Sequence, residues 1–176
     1  MIFVPTPLSG AYVLDLKRLE DERGFFARAF CQDEFKAQGL NTAVAQCNVS
    51  FNARRGTLRG MHFQASPHAE AKVVRCTQGA IWDVIIDLRA DSRTFRQWYG
   101  VELSQGTRRA LYVPEGFAHG FQTLADDSEV LYMMSEFFHP ECAGGVRWDD
   151  PAFGIEWPVA DPLISDRDRN YPLLGQ

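Results

Sequence analysis

Eight short runs rich in Val, Ile, Phe and Tyr follow one another from residue 24 to residue 138: GFFARAF, TAVAQCNVSF, AKVVRCT, AIWDVIIDLR, RQWYGVELS, RALYVPEG, AHGFQTL and EVLYMMSEFF. Turn chemistry separates many of them, at Gln78-Gly79, Asp91-Ser92, Pro114-Glu115-Gly116 and Asp126-Asp127. β-Branched and aromatic residues suit a pleated, half-buried surface, and many such runs at short spacing predict an all-β sandwich or barrel. Helix signals are sparse. The best is CQDEFKAQGL (31–40), with an early Asp–Glu pair, an apolar Phe35 and Gly39 as a stop. The 176 residues show no internal repeat and no low-complexity linker, so one domain spanning 1–176 is expected. The Pro-, Trp- and Asp-rich stretch from Glu141 onward is expected to wrap the barrel irregularly.

In AIWDVIIDL the two-residue period puts Ala80, Trp82, Val84, Ile86 and Leu88 on one face and Ile81, Asp83, Ile85 and Asp87 on the other. Two acids among isoleucines fit either the wall of a polar cavity or a solvated outer face.

The net charge of −5 gives no reason to expect a nucleic-acid partner, so any anionic ligand needs a local arginine cluster. The four cysteines (Cys31, Cys47, Cys76, Cys142) form no CxxC pair, which suits a reducing cytoplasm rather than a disulfide scaffold. The opening MIFVPTPLSGAYVLDL lacks a basic leader and carries two prolines, reading as an ordered arm, and no apolar run reaches membrane-spanning length.

Two histidines sit in Gly-flanked strand ends, His62 in RGMHFQ and His119 in PEGFAHGFQ. The second has the P-x-G-x-x-H shape of a cupin half-motif, where the histidine usually binds a metal. The first half-motif normally supplies His-x-His, and here Gln64 takes the second place. Two good ligands fall short of the three or four that a metal wants. His68 and Glu70 are near in sequence, but ASPHAEA reads as a loop. Acid–base work is the alternative, since histidine titrates near neutrality. It would need an orienting carboxylate, with Asp168 or Asp83 as candidates, a cation such as Lys72 for developing negative charge, and an acid such as Tyr132. Lys72 lies in a strand whose other residues are mostly apolar, where a lysine is ordinarily solvated, and a lone histidine is ordinarily a satisfied core residue. Arg23, and Arg54, Arg55 and Arg59 around Gly56, have forks that suit a pyrophosphate or, equally, surface ion pairs.

Taken in order, DERGFF, QCNVS, GTLRGMHFQ, KVVRCTQGAIWDVIIDLR, YVPEGFAHGFQTL, WDDPAFGIEWP and ISDRD resemble the dTDP-4-dehydrorhamnose 3,5-epimerase family, from about residue 5 to residue 172. The resemblance implies a cupin-like jelly-roll β-barrel with a few short helices, metal- and cofactor-free and usually a homodimer, acting on a nucleotide-linked 4-keto-6-deoxyhexose. It implies His62 as base, Tyr132 as the acid on the opposite face, Lys72 beside the sugar carbonyl and Asp168 behind the histidine. Arg23, Arg59 and His119 match residues that hold the substrate, Gln46 and Asn48 match a substrate-binding segment, and Arg167 stands where the family often has a substrate-contacting lysine. Three positions depart from the best-known pattern. Arg28 and Ala143 stand where glutamates contact substrate, and Phe138 replaces a tyrosine that stacks on thymine. All three lie on the nucleotide side. A CDP- or GDP-linked sugar, inversion at one carbon only, a ketoisomerase or pure binder on the same barrel, and a metal-dependent cupin stay open as alternatives.

Overall fold

The computed structural model describes residues 1–174. Two antiparallel sheets face each other. Along one lie β1 (Ile2–Pro5), β2 (Tyr12–Asp15), β10 (Ala110–Val113), β7 (Lys72–Gln78), β12 (Ser128–Met134) and β5 (Gln46–Asn52), in that order. Along the other lie β13 (Ala143–Gly145), β6 (Thr57–Gln64), β11 (Phe117–Thr123), β8 (Ala80–Asp87) and β9 (Trp98–Ser104). A small hairpin, β3 (Leu19–Asp21) with β4 (Gly24–Phe26), stands apart. The non-sequential strand order is that of a cupin-like jelly roll.

Inward residues of both sheets build the central core: Val74, Cys76, Leu111 and Val130 from one, Ile81, Ile85, Phe117 and Phe121 from the other. The alternation in β8 explains its share. Ile81 and Ile85 point into this core, and Asp83 and Asp87 share their face with no exposure at all. The solvated alternative for that face therefore fails. The opposite face is buried too, because Phe153, Ile155 and Trp157 of the tail cover Val84, Ile86 and Met61. That tail is less irregular than expected. It contributes β13, the short β14 (Leu163–Ile164) parallel to β6, and helix α2 (Asp166–Arg169).

Helix α1 (Gln32–Ala37) is shorter than the span 31–40, ending before Gly39, whose φ of +71° is the left-handed conformation that stops a helix. It is anchored by Phe35, wholly buried against Phe3, Phe30 and Tyr112. The run GFFARAF also shrinks to three strand residues, because β4 pairs only with β3 and joins neither sheet.

Candidate active site

His62 and His119 are direct partners in the β6–β11 register, so both side chains leave the same face of the sheet. The strands approach unusually closely beside them. A Cβ on Gly60 would lie 2.6 Å from the Gly120 Cα, and Gly60 has φ +142°, so only glycine fits there.

Each histidine has its own carboxylate. His62 Nε2 lies 2.8 Å from Asp168 Oδ1, and His119 Nε2 lies 2.7 Å from Asp83 Oδ1. Both aspartates named as candidate orienters are thus used, by different histidines. Asp168 reaches β6 because α2 starts next to β14. Ser165 caps the helix by accepting the Asp168 backbone N–H at 3.1 Å, and the Gly60 N–H donates to Asp168 Oδ2 at 3.2 Å. Burial pushes the Asp168 carboxyl up, but the hydrogen bonds from His62 and Gly60 outweigh it and hold the group below the usual carboxylate range. Asp83 is wholly buried and its Oδ2 has no hydrogen-bond partner.

A cavity of about 300 Å³ opens between the sheets, lined by His62, Arg59 and His119 on one wall and by Lys72, Tyr132 and Asn48 on the other. Lys72 therefore points inward, against the ordinary expectation for a strand lysine. It is 6% exposed and its Nζ lies 3.0 Å from Glu70 Oε1. Tyr132 packs edge-on to His119, with centroids 6.0 Å apart. Burial and the Asp83 charge raise the Tyr132 phenol well above its usual value, with Arg59 opposing, so the hydroxyl keeps its proton at neutral pH. Arg59 Nε donates to Asn52 Oδ1 at 2.7 Å.

A second chamber of about 240 Å³ shares His62, Lys72, Asn48 and Met134 with the first and extends outward. Gln46, Phe138, Ala143 and Arg167 line it. Phe138 is 59% exposed, with its backbone N–H bonded to Gln46 Oε1 at 3.1 Å. Arg167 Nε donates to the Tyr171 hydroxyl at 2.9 Å, and the Tyr171 ring meets His62 edge-on at 5.9 Å.

Two named residues lie elsewhere. Arg23 sits on the β3–β4 turn, ion-paired to Asp21 at 2.6 Å, and Arg28 pairs with Glu34 of α1 at 2.9 Å. Neither lines the cavity of its own chain. Gln64, which takes the place of the second histidine of the half-motif, has a clear structural use. Its amide bonds to the backbone of His68, Phe137 and His139, so it clamps two loops. Arg54 and Arg55 are exposed surface residues.

Glu70, weighed in the sequence only as a possible metal ligand beside His68, is instead the partner of Lys72, a role that its loop-like segment conceals. The Glu70-x-Lys72 spacing, which puts two side chains on one side of extended backbone, was the signal. Tyr171, which packs where a Cβ on Gly145 would lie 2.5 Å from its ring, was missed as well, and no sequence pattern points to it.

One sheet of the jelly roll carries two His–Asp pairs facing a buried lysine and a half-buried tyrosine on the other, which places the protein among acid–base enzymes built on a cupin-like barrel. A sequence model of the dTDP-4-dehydrorhamnose 3,5-epimerase family matches residues 5–176, and the chain belongs to that family. It is 44% identical to the dTDP-4-dehydrorhamnose 3,5-epimerase of Methanothermobacter thermautotrophicus over 99% of this chain and 95% of that protein. The crystal structure of the Bacillus anthracis dTDP-4-dehydrorhamnose 3,5-epimerase with TDP and pyrophosphate bound superposes with a TM-score of 0.94 at 43% identity, covering 98% of this chain and 99% of that one. A Legionella pneumophila dTDP-6-deoxy-D-glucose-3,5-epimerase in complex with dTDP-4-keto-L-rhamnose gives a TM-score of 0.90 at 33% identity, covering 98% and 92%.

Proposed function

We propose that this protein is a cofactor-independent epimerase that inverts C3, C5 or both in a dTDP-linked 4-keto-6-deoxyhexose. The observation that carries the reading is the placement of His62 and Tyr132 on opposite sheets, facing one cavity. A sugar ring between them presents one face to a base and the other to an acid.

The chemistry follows from the substrate class. The hydrogens at C3 and C5 are both α to the C4 ketone, so losing either gives an enolate, and the ketone itself is the electron sink. His62 takes the proton. Asp168, ionised, fixes the imidazole orientation and stabilises the imidazolium that forms. The Lys72 ammonium faces the developing oxyanion, where a preorganised charge acts most strongly. Glu70 holds that ammonium in place. Tyr132 then delivers its proton to the opposite face, which inverts the centre. Its raised pKa keeps that proton available. His119, with its Nε2 committed to Asp83, lies beside the sugar, and Arg59 is the diphosphate anchor. The outer chamber takes the nucleoside, with Phe138 as the stacking surface and Gln46, Asn48 and Arg167 as polar contacts. Ala143 leaves room there that a glutamate would fill.

Arg23 and Arg28 reach a site only if the N-terminal arm crosses to a second subunit. We infer a homodimer with such exchange. Leu19 and Phe26 of the hairpin, 63% and 73% exposed, give that arm apolar surface to bury, as do Val49 and Phe51 on β5. The protein works in the cytoplasm on this reading, its four cysteines all being free, and no helix among the described residues is long and apolar enough to cross a membrane. The net charge of −5 gives no reason to propose a nucleic-acid partner.

Product analysis tests the function. Incubation with dTDP-4-keto-6-deoxyglucose, followed by reduction and NMR, is expected to show inversion at C3, C5 or both. A product with the carbonyl moved to C3 would instead indicate a ketoisomerase. A thermal-shift panel of dTDP, CDP and GDP is expected to favour dTDP, and stronger stabilisation by another nucleotide would reassign the base.

A further inference from the structure

Outside the cavity, the β6–β7 and β12–β13 connections bring His68, Glu136 and His139 together, with a donor atom of each within 4.8 Å of the others. It is the one group of three or more His, Cys, Asp or Glu side chains close enough to share an ion among the described residues. His62 and His119 belong to no such group.

Three features make the cluster more than a chance meeting of surface groups. First, its backbone is fixed. The Gln64 side chain, 3% exposed, donates to the His68 and Phe137 carbonyls at 2.6 and 3.0 Å and accepts the His139 N–H at 2.8 Å. Second, His139 is oriented. Its Nδ1 lies 3.0 Å from Glu141 Oε1, which leaves Nε2 with its lone pair outward, the carboxylate–histidine arrangement that supports metal ligation. Third, His68 Nδ1 already faces Glu136 Oε2 at 3.8 Å.

The two imidazoles are stacked, 3.4 Å between centroids and 8° from parallel. Parallel rings cannot both aim an in-plane lone pair at one ion. His68, whose Nδ1 makes only the longer contact, is the ring that turns. It has room, being about one-third exposed. Ligand atoms on a tetrahedral zinc at 2.0–2.1 Å lie about 3.3 Å apart, against a present spread within 4.8 Å.

We propose that His68, Glu136 and His139 form a binding site for a divalent cation of the zinc class, with Glu141 fixing the His139 ring and water completing the shell. Two imidazoles and one carboxylate favour Zn²⁺, Co²⁺ or Ni²⁺ over the oxygen-seeking Mg²⁺ and Ca²⁺. The ion would staple together the two loops that bound the outer chamber, one carrying Glu70 and the other Phe138. It takes no part in the epimerisation chemistry.

The test uses tag-free, chelator-stripped full-length protein. Zn²⁺ is titrated against a chromophoric chelator, and Co²⁺ is added separately as a spectroscopic probe. One equivalent per chain is expected, with a raised Tm and with tetrahedral cobalt bands in the visible, while Mg²⁺ does nothing. His68→Ala and His139→Ala should each weaken zinc by about 100-fold or more, and Glu141→Gln by about 10- to 100-fold. All three variants should keep normal turnover, which shows that they fold. Absence of one-to-one binding by the parent, or binding that survives unchanged in His68→Ala and His139→Ala, would overturn the site. Neither outcome touches the epimerase reading.

Discussion

Asp168 meets His62 at 2.8 Å across 106 positions of sequence, and it is the capped helix α2 that brings it there. On this account the carboxylate is a positioning residue, acting through the imidazole. Asp168→Asn keeps the shape but offers the ring the wrong partner. A fall in kcat of roughly 10²- to 10⁴-fold is expected, with KM little changed. Steady-state kinetics checks it, and a variant with near-parental kcat would remove Asp168 from the mechanism.

Lys72 and Glu70 form the second pair. Lys72→Met removes the charge facing the enolate oxygen and should lower kcat by roughly 10²- to 10³-fold. Glu70→Gln leaves the ammonium in the cavity but unpaired, so a smaller loss is expected. If Glu70→Gln proves as damaging as Lys72→Met, the carboxylate does more than hold the lysine.

The exchanged arm makes a prediction that needs two variants. Arg23→Ala and His62→Ala should each be strongly impaired as pure proteins. Unfolded together and refolded, they form mixed dimers in which one of the two sites carries neither change. Statistical mixing then restores about a quarter of parental activity. No recovery on mixing would place Arg23 with its own chain's site or outside any site.

Asp87 is expected to contribute to the acid stability. It is wholly buried, which opposes ionisation, yet hydrogen bonds from Arg89, Ser92 and Thr94 hold its pKa at about 2. A carboxyl depressed in the folded state stabilises the fold fully above the unfolded value of about 4 and loses that contribution as pH falls towards 2. The contribution is on the order of 2 kcal/mol. Denaturant midpoints measured from pH 5 to pH 2 should therefore fall less steeply for Asp87→Asn than for the parent, from a lower start. Parallel curves would assign the acid slope to other carboxylates.

The pattern of legible and illegible features has physical causes. Strand period two is local, so the face that Asp83 shares with Ile81 and Ile85 can be read from nine residues. Which histidine Asp83 serves cannot, because the answer depends on the β8–β11 register, where Asp83 sits opposite Phe121 and His119 opposite Ile85. The inward turn of Lys72 was hidden for a related reason. Both faces of β7 are covered, so its alternation carries no contrast between inside and outside. The Glu70–Lys72 pair lies hidden because Glu70 sits in a segment without periodicity, and Arg28 is recognised by motif although the fold of one chain pairs it with Glu34. The resemblance supplies the role of Phe138 and sets Tyr132, already a candidate acid, on the face opposite His62, which spacing alone could not.

On this mechanism His62 removes a proton and Tyr132 returns one from the other side. Deuterium wash-in from D2O tests it directly, with dTDP-4-keto-6-deoxyglucose as substrate and NMR as the readout at C3 and C5. The parent should incorporate deuterium at each carbon it inverts, His62→Ala should incorporate none, and Tyr132→Phe should still exchange while failing to invert. Inversion by the parent without deuterium gain, or exchange by His62→Ala at the parental rate, would contradict it.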